Sequence, residues 1–175
     1  MYQKQEYLLL NRLCQLKLFE LLENNHAIIA GGAVRAVFAG EFISDYDVYF
    51  KTANDMYTFA SQLESKEFVL AYATDVAQTY KKEDVRVQVI IMPELINPNP
   101  VEIINQFDYT VCMCAYDFDT KSFVFNENFL QHLARREMYY NINGKYPLAS
   151  LFRLRKYMKK GYSISGSEII KLGLS

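Results

Sequence analysis

Residues 28–50, IIAGGAVRAVFAGEFISDYDVYF, constrain this chain more than any other stretch. An apolar run ends in Gly31-Gly32, a short apolar segment closes on Gly40, and an alternating segment then carries Asp45 and Asp47. The pattern predicts a strand, a tight glycine turn, a short helix and a second strand. Backbone amides that follow glycines at a helix N-terminus suit a triphosphate, because Gly allows close approach and the helix dipole favours anions. Asp45 and Asp47, two apart on a strand, project from one face. Two such carboxylates can share a pair of divalent ions that polarise a phosphate and activate an attacking hydroxyl. Taken alone, the glycines are ordinary turn chemistry and Asp-x-Asp is an ordinary solvated turn. Their conjunction points to chemistry.

The rest of the chain predicts further helices and strands. Residues 5–23 predict one helix, with Leu9, Leu13 and Leu16 on a common face, stopped by Asn24-Asn25. Thr52 caps a helix that buries Met56, Phe59 and Leu63. FVLAYA, VAQTYK and DVRVQVIIM predict three strands, and NPVEIINQF a helix opened by Pro100. DYTVCMCAYDF and KSFVF predict a hairpin around Asp119-Thr120, and three helices follow. Strands mixed irregularly with helices indicate an α+β or mixed α/β class, not a doubly wound sheet. We take α+β, a mixed sheet of about five strands with helices on one side and the C-terminal helices against an edge. We divide the chain into an N-terminal helix (1–25), a head (26–145) and a C-terminal helical segment of the same domain (146–175).

With 51% hydrophobic and 22% charged residues among 175, the chain can bury a core without disulfides or structural metal. No run approaches the roughly 20 apolar residues that span a bilayer, and the start lacks a signal-peptide cleavage site, so no membrane contact and a cytoplasmic location are expected. Cys14, Cys112 and Cys114 form no ligand pair; Cys112 and Cys114 are expected side by side on one strand face as small buried hydrophobes. His26 and His132 are too far apart to suggest zinc. A net charge of −1 argues against a general nucleic-acid coat protein, although Arg135-Arg136 and Arg153 to Lys160 concentrate basic charge late in the chain. Abundant Tyr and Phe without Trp fits the AT-rich genomes common among phages, which would place the protein in a host cytoplasm.

The conjunction in residues 28–50 resembles the motif of the nucleotidyltransferase superfamily, the polymerase-beta-like fold. GGAVR is similar to the Gly-Gly-x-Val-Arg of tRNA CCA-adding enzymes and bacterial poly(A) polymerases, with Gly40 at the next family glycine. FDYTVCMCAYDFDTKSFVFN resembles the family's Asp-Phe-Thr segment and its hairpin, and YPLASLFRLRKYMKKGYSI its Arg-x-x-Arg stretch. The resemblance covers roughly residues 26–164. It implies phosphate-cradling glycines at Gly31 and Gly32, the motif arginine at Arg35 and the metal carboxylates at Asp45 and Asp47. Asp108 and Thr110 would support the nucleotide sugar and the floor of the site. Arg153 and Lys156 would be the basic pair, sharing a helix face with Lys160 that otherwise would be a solvated face. Mg²⁺ or Mn²⁺ is the implied cofactor, an NTP the substrate, and an RNA end, a protein or a small molecule the hydroxyl acceptor.

Departures from the pattern are equally specific. Ala36 replaces the Asp of Val-Arg-Asp, Gln106 and Phe107 replace an arginine pair, and Cys112 replaces an Asn. The strand position where a third carboxylate is expected holds Gln88, while Glu83 and Asp84 fall too early. No counterpart of the base-templating segment or of the neck, body and tail helices is present by residue 175, so CCA addition is not expected. Three functions remain open: a stand-alone enzyme moving a nucleoside monophosphate to a hydroxyl, a degenerate head that binds nucleotide, RNA or a host protein without turnover, or a purely structural or host-binding role.

Overall fold

The computed structural model describes residues 1–175. Helix α1 (Gln3–Gln15) and helix α2 (Phe19–Asn24) precede strand β1 (Ile28–Ala30), helix α3 (Gly32–Ala39) and strand β2 (Asp45–Tyr49). Helix α4 (Ala53–Ser65) leads to strands β3 (Val69–Ala73), β4 (Ala77–Lys82) and β5 (Val85–Ile90), then helix α5 (Pro100–Ile104). The hairpin β6 (Cys114–Asp117) and β7 (Ser122–Phe125) is followed by helix α6 (Phe129–Arg135). A short pair, β8 (Glu137–Met138) and β9 (Ser163–Ile164), flanks helix α7 (Pro147–Lys159), and helix α8 (Gly166–Leu174) ends the fold. The α+β class is as expected.

The sheet has seven strands in the order β3-β4-β5-β2-β1-β6-β7, more than the five expected. Only β2 and β5 run parallel; β1 pairs antiparallel with both β2 and β6. Strand alternation divides the side chains between two faces. Ile29, Tyr46, Val48, Val87 and Val89 enter a large core shared with Leu9 and Leu13 of α1, Val34 of α3, and Phe59 and Leu63 of α4. Ile28, Ala30, Tyr49 and Ile90 enter a smaller cluster with Ile103 and Ile104 of α5. Helices therefore cover both faces, not one. On the second face, Asp45, Asp47 and Gln88 alternate with the large-core residues and lie beyond the apolar cluster.

Three local expectations are corrected. Lys17 takes a left-handed conformation, φ 57°, which divides the expected 5–23 helix into α1 and α2. Thr110–Cys112 forms a 3₁₀ turn, so Cys112 and Cys114 are both buried but do not share a strand. Helix α7 does not lie along a sheet edge. Tyr109 donates from its hydroxyl to the Ser150 carbonyl at 2.9 Å, and the Tyr157 ring receives the Arg35 guanidinium at 4.8 Å, tying α7 to α3 and to the segment before the 3₁₀ turn. No helix is long and apolar enough to cross a membrane.

Candidate functional site

The turn between β1 and α3 is built by Gly31, whose φ of 75° and ψ of −127° are foreign to side-chain-bearing residues. Its amide continues the β1–β6 ladder by donating to the Cys114 carbonyl at 2.9 Å, and its carbonyl accepts from the Arg35 amide at 2.9 Å. Helix α3 thus starts immediately at the strand end, with its first-turn amides in need of an acceptor. One residue along the sheet, Ala30 faces Asp47 across the antiparallel pair, and Asp47 faces Gln88 across the parallel pair.

These elements enclose a cavity of about 230 Å³. Gly31, Gly32, Asp45, Asp47 and Gln88 form its sheet side; Asp108, Arg153, Lys156 and Lys160 face it from the opposite wall, and Arg35 lies at its back. Every site residue implied by the family resemblance lines this cavity except Thr110. The Thr110 hydroxyl is instead 2.7 Å from His132 Nδ1, and its amide donates to the Tyr139 carbonyl, which ties the loop after α5 to β8.

The two carboxylates are under-satisfied. Asp45 Oδ1 is buried without a hydrogen-bond partner, its nearest cation being Arg86 Nη1 at 3.9 Å. Burial, then the charge of Asp45, push the Asp47 carboxyl up to about 6, while Arg153 and Lys156 act in the opposite sense. An open-valence oxygen beside a carboxylate reluctant to ionise is an environment that a divalent cation would relieve, here with two carboxylates and not a cluster of three or more acidic, His or Cys side chains.

The opposite wall has its own charge order. Arg153 Nε lies 3.1 Å from Asp108 Oδ2, an ion-pair distance without hydrogen-bond alignment, so both oxygens of the buried Asp108 keep open valences. Glu41 sits among cations: Arg35 Nη1 at 3.3 Å, Lys160 Nζ at 3.7 Å and Arg136 Nη1 at 4.0 Å, with the Tyr162 hydroxyl donating at 3.0 Å. Burial and the neighbouring Arg35 pull the Lys160 ammonium below its ordinary value, against Glu41. Burial raises the Cys112 thiol to about 11, which favours its neutral form.

Glu41, Tyr49 and Tyr157 were not singled out from sequence, and Phe107 only as a departure from the family's arginine pair. Tyr49 had a signal, because it stands one pleat period beyond Asp47 and so shares its face. Glu41 had none, since its partners Arg35, Arg136 and Lys160 come from three distant segments.

Known proteins bear on this geometry in two ways. The model of the family described as Gabija anti-defense 2 family protein matches residues 2–136. A Bacillus phage SPbetaL7 protein named Gabija anti-defense 2 is 35% identical over 159 residues, which is 91% of this chain but only 39% of that protein. Among solved structures, a CCA-adding enzyme in apo form superposes with a TM-score of 0.68 at 15% identity, covering 94% of this chain and 43% of that one. The Thermotoga maritima CCA-adding enzyme complexed with tRNA gives 0.62 at 12% identity, with 91% and 44% covered. At such identities the likeness speaks for the fold, and the chain spans less than half the length of each. The chain belongs to the Gabija anti-defense 2 family and has the fold of a CCA-adding nucleotidyltransferase head.

Proposed function

We propose that this protein is a Mg²⁺-dependent nucleotidyltransferase that moves a nucleoside monophosphate from an NTP to a hydroxyl acceptor, in the service of the anti-defense role for which its phage relative is named. One observation carries this reading: Asp45 and Asp47 stand on one strand face in the same cavity as the Gly31-Gly32 turn and the cations Arg153, Lys156 and Lys160. Asp45 and Asp47 would hold the metal, which supplies charge neutralisation at the phosphate and activation of the acceptor hydroxyl. The amides at the start of α3 and the side chains of Lys156 and Lys160 hold the phosphate chain. Asp108, with open valences on a buried carboxylate, accepts from sugar hydroxyls. Arg35, pinned between Tyr157 and Glu41, keeps α3 and α7 at a fixed separation and so holds the two walls in place.

A second reading has its own observation. Gln88 occupies the strand position beside Asp47 and brings no negative charge, so the protein could bind Mg²⁺ and nucleotide without turnover. Both readings require nucleotide binding. In a thermal melt, Mg²⁺ with a nonhydrolysable NTP should raise Tm, and Asp45→Ala with Asp47→Ala should remove the metal-dependent part of that rise. Pyrophosphate release from an NTP then separates the two, since only the enzyme produces it. An unchanged melt with all four NTPs well above millimolar would refute both.

A further inference from the structure

Beyond Asp47 the cleft continues into a second cavity of about 380 Å³. The two cavities share Asp47, Tyr49, Gln88, Phe107, Asp108 and Arg153, so they meet at the carboxylate edge of the sheet. Their linings differ sharply. Arg35, Lys156 and Lys160 line only the first. The second has an apolar wall of Val76, Ile90, Met92 and Leu95, faced by Tyr146. Lys145 is the sole cation it adds, and Arg153 is already paired with Asp108.

We propose that this second cavity seats the ring of a tyrosine side chain from a protein acceptor, delivering its hydroxyl to the Asp47 edge while the NTP phosphates occupy the cationic cavity. The proposal rests on the nucleotidyl-transfer reading above and names its acceptor. A nucleic-acid acceptor brings a phosphodiester with each nucleotide and needs cations along its path. Here Arg35, Lys156 and Lys160 line only the phosphate cavity, and the second cavity adds Lys145 alone. A serine or threonine side chain carries too little apolar surface to cover a wall of Val76, Ile90, Met92 and Leu95. A phenol ring covers the apolar wall and keeps its single polar atom at the polar end, the usual arrangement of an aromatic anchor in a mostly apolar pocket. In the transfer step the phenolic oxygen attacks the α-phosphorus and an aryl O–P bond forms. The bond from that phosphorus to the oxygen bridging to the β-phosphate breaks, pyrophosphate leaves, and the phenolic proton passes to solvent water.

The test uses Val76→Arg, which places a cation at the 40%-exposed rim of the slot, and Leu95→Asn as a milder second variant. Wild type and variants are given α-³²P-labelled NTPs and Mg²⁺ with a single-tyrosine peptide, its Tyr→Phe counterpart, or total RNA. Binding of a nonhydrolysable NTP is measured in parallel, together with saturation-transfer NMR of N-acetyl-L-tyrosinamide. Label should enter the tyrosine peptide alone and fall at least tenfold in Val76→Arg, with NTP affinity unchanged within about twofold. Labelled RNA that is indifferent to Val76→Arg would overturn the proposal while leaving nucleotidyl transfer intact. Loss of NTP binding in Val76→Arg would also overturn it, because the slot would then seat the base. If nothing is labelled, an NMR signal present in wild type and absent in both variants still supports the slot, and no signal in wild type overturns it.

Discussion

Asp47 and Gln88 are directly opposed across the parallel β2–β5 pair, and strand alternation turns both side chains to the same cleft. The sheet side of the site therefore presents two carboxylates and one amide. Gln88→Glu places a third carboxylate beside the first two. It should tighten Mg²⁺ binding, because a cation is what stabilises clustered anions, and it should cost ~1 kcal/mol in metal-free buffer. Calorimetric titration with MgCl₂ and urea melts in EDTA measure the two effects.

The pH dependence follows from Asp47. Its folded-state value of about 6 lies above the ordinary carboxylate value of 3.8, so the folded chain binds the proton more tightly than the unfolded one. The resulting stabilisation is fully present below pH ~4 and is lost as pH rises through about 6. Because the cleft keeps part of its hydration, we expect a loss of about 1–2 kcal/mol, less than a full two-unit shift implies. Urea melts in EDTA should show this loss in wild type and a flatter profile in Asp47→Asn. With Mg²⁺ the sign reverses, since protons compete with the metal and affinity falls as pH drops below 6.

Arg153→Ala strands the buried Asp108 carboxylate. We expect a destabilisation of ~2 kcal/mol by urea melt, largely recovered by adding Asp108→Asn, since an uncharged amide needs no counter-ion. Additivity of the two substitutions would show that the pair is not coupled.

Gly31→Ala forces a side chain into a φ of 75°, while its Cβ would meet Phe107 Cε2 at an ordinary 3.7 Å. The cost is thus conformational, ~1–3 kcal/mol. It should also weaken binding of inorganic triphosphate by moving the first amides of α3. Gly32→Ala meets open space and should be tolerated, a contrast that tests the turn geometry.

The glycine turn and both aspartates were legible because period and spacing placed them locally: Gly31, Gly32, Asp45 and Asp47 lie within one stretch of strand, helix and strand. The family resemblance pointed to Gln88 as the in-register residue of its strand, and the sheet pairs Gln88 with Asp47. The break at Lys17 was hidden, because leucine periodicity continues through it and nothing in the residue type announces a left-handed turn. Cys112 fell within an apolar run that reads as strand, yet its sulfur sits 2.7 Å from the Tyr157 hydroxyl, and that tertiary contact accompanies the 3₁₀ turn. Thr110 was assigned to the site by motif alone; its hydroxyl partners His132, 22 residues away, which local spacing does not show. The second cavity draws its walls from β5, the segment after it and residues 144–149, and so was not visible in any single stretch.

Incorporation of α-³²P-labelled NTP is the most direct measurement of the central claim. With Mg²⁺ and a cell extract as acceptor source, wild type should transfer label to a macromolecule with all four NTPs offered in turn. Asp45→Ala and Asp47→Ala, each shown to melt as cooperatively as wild type, should reduce that transfer by at least two orders of magnitude, as removal of a metal ligand demands. No label from any NTP, or label undiminished in the aspartate variants, would contradict the account.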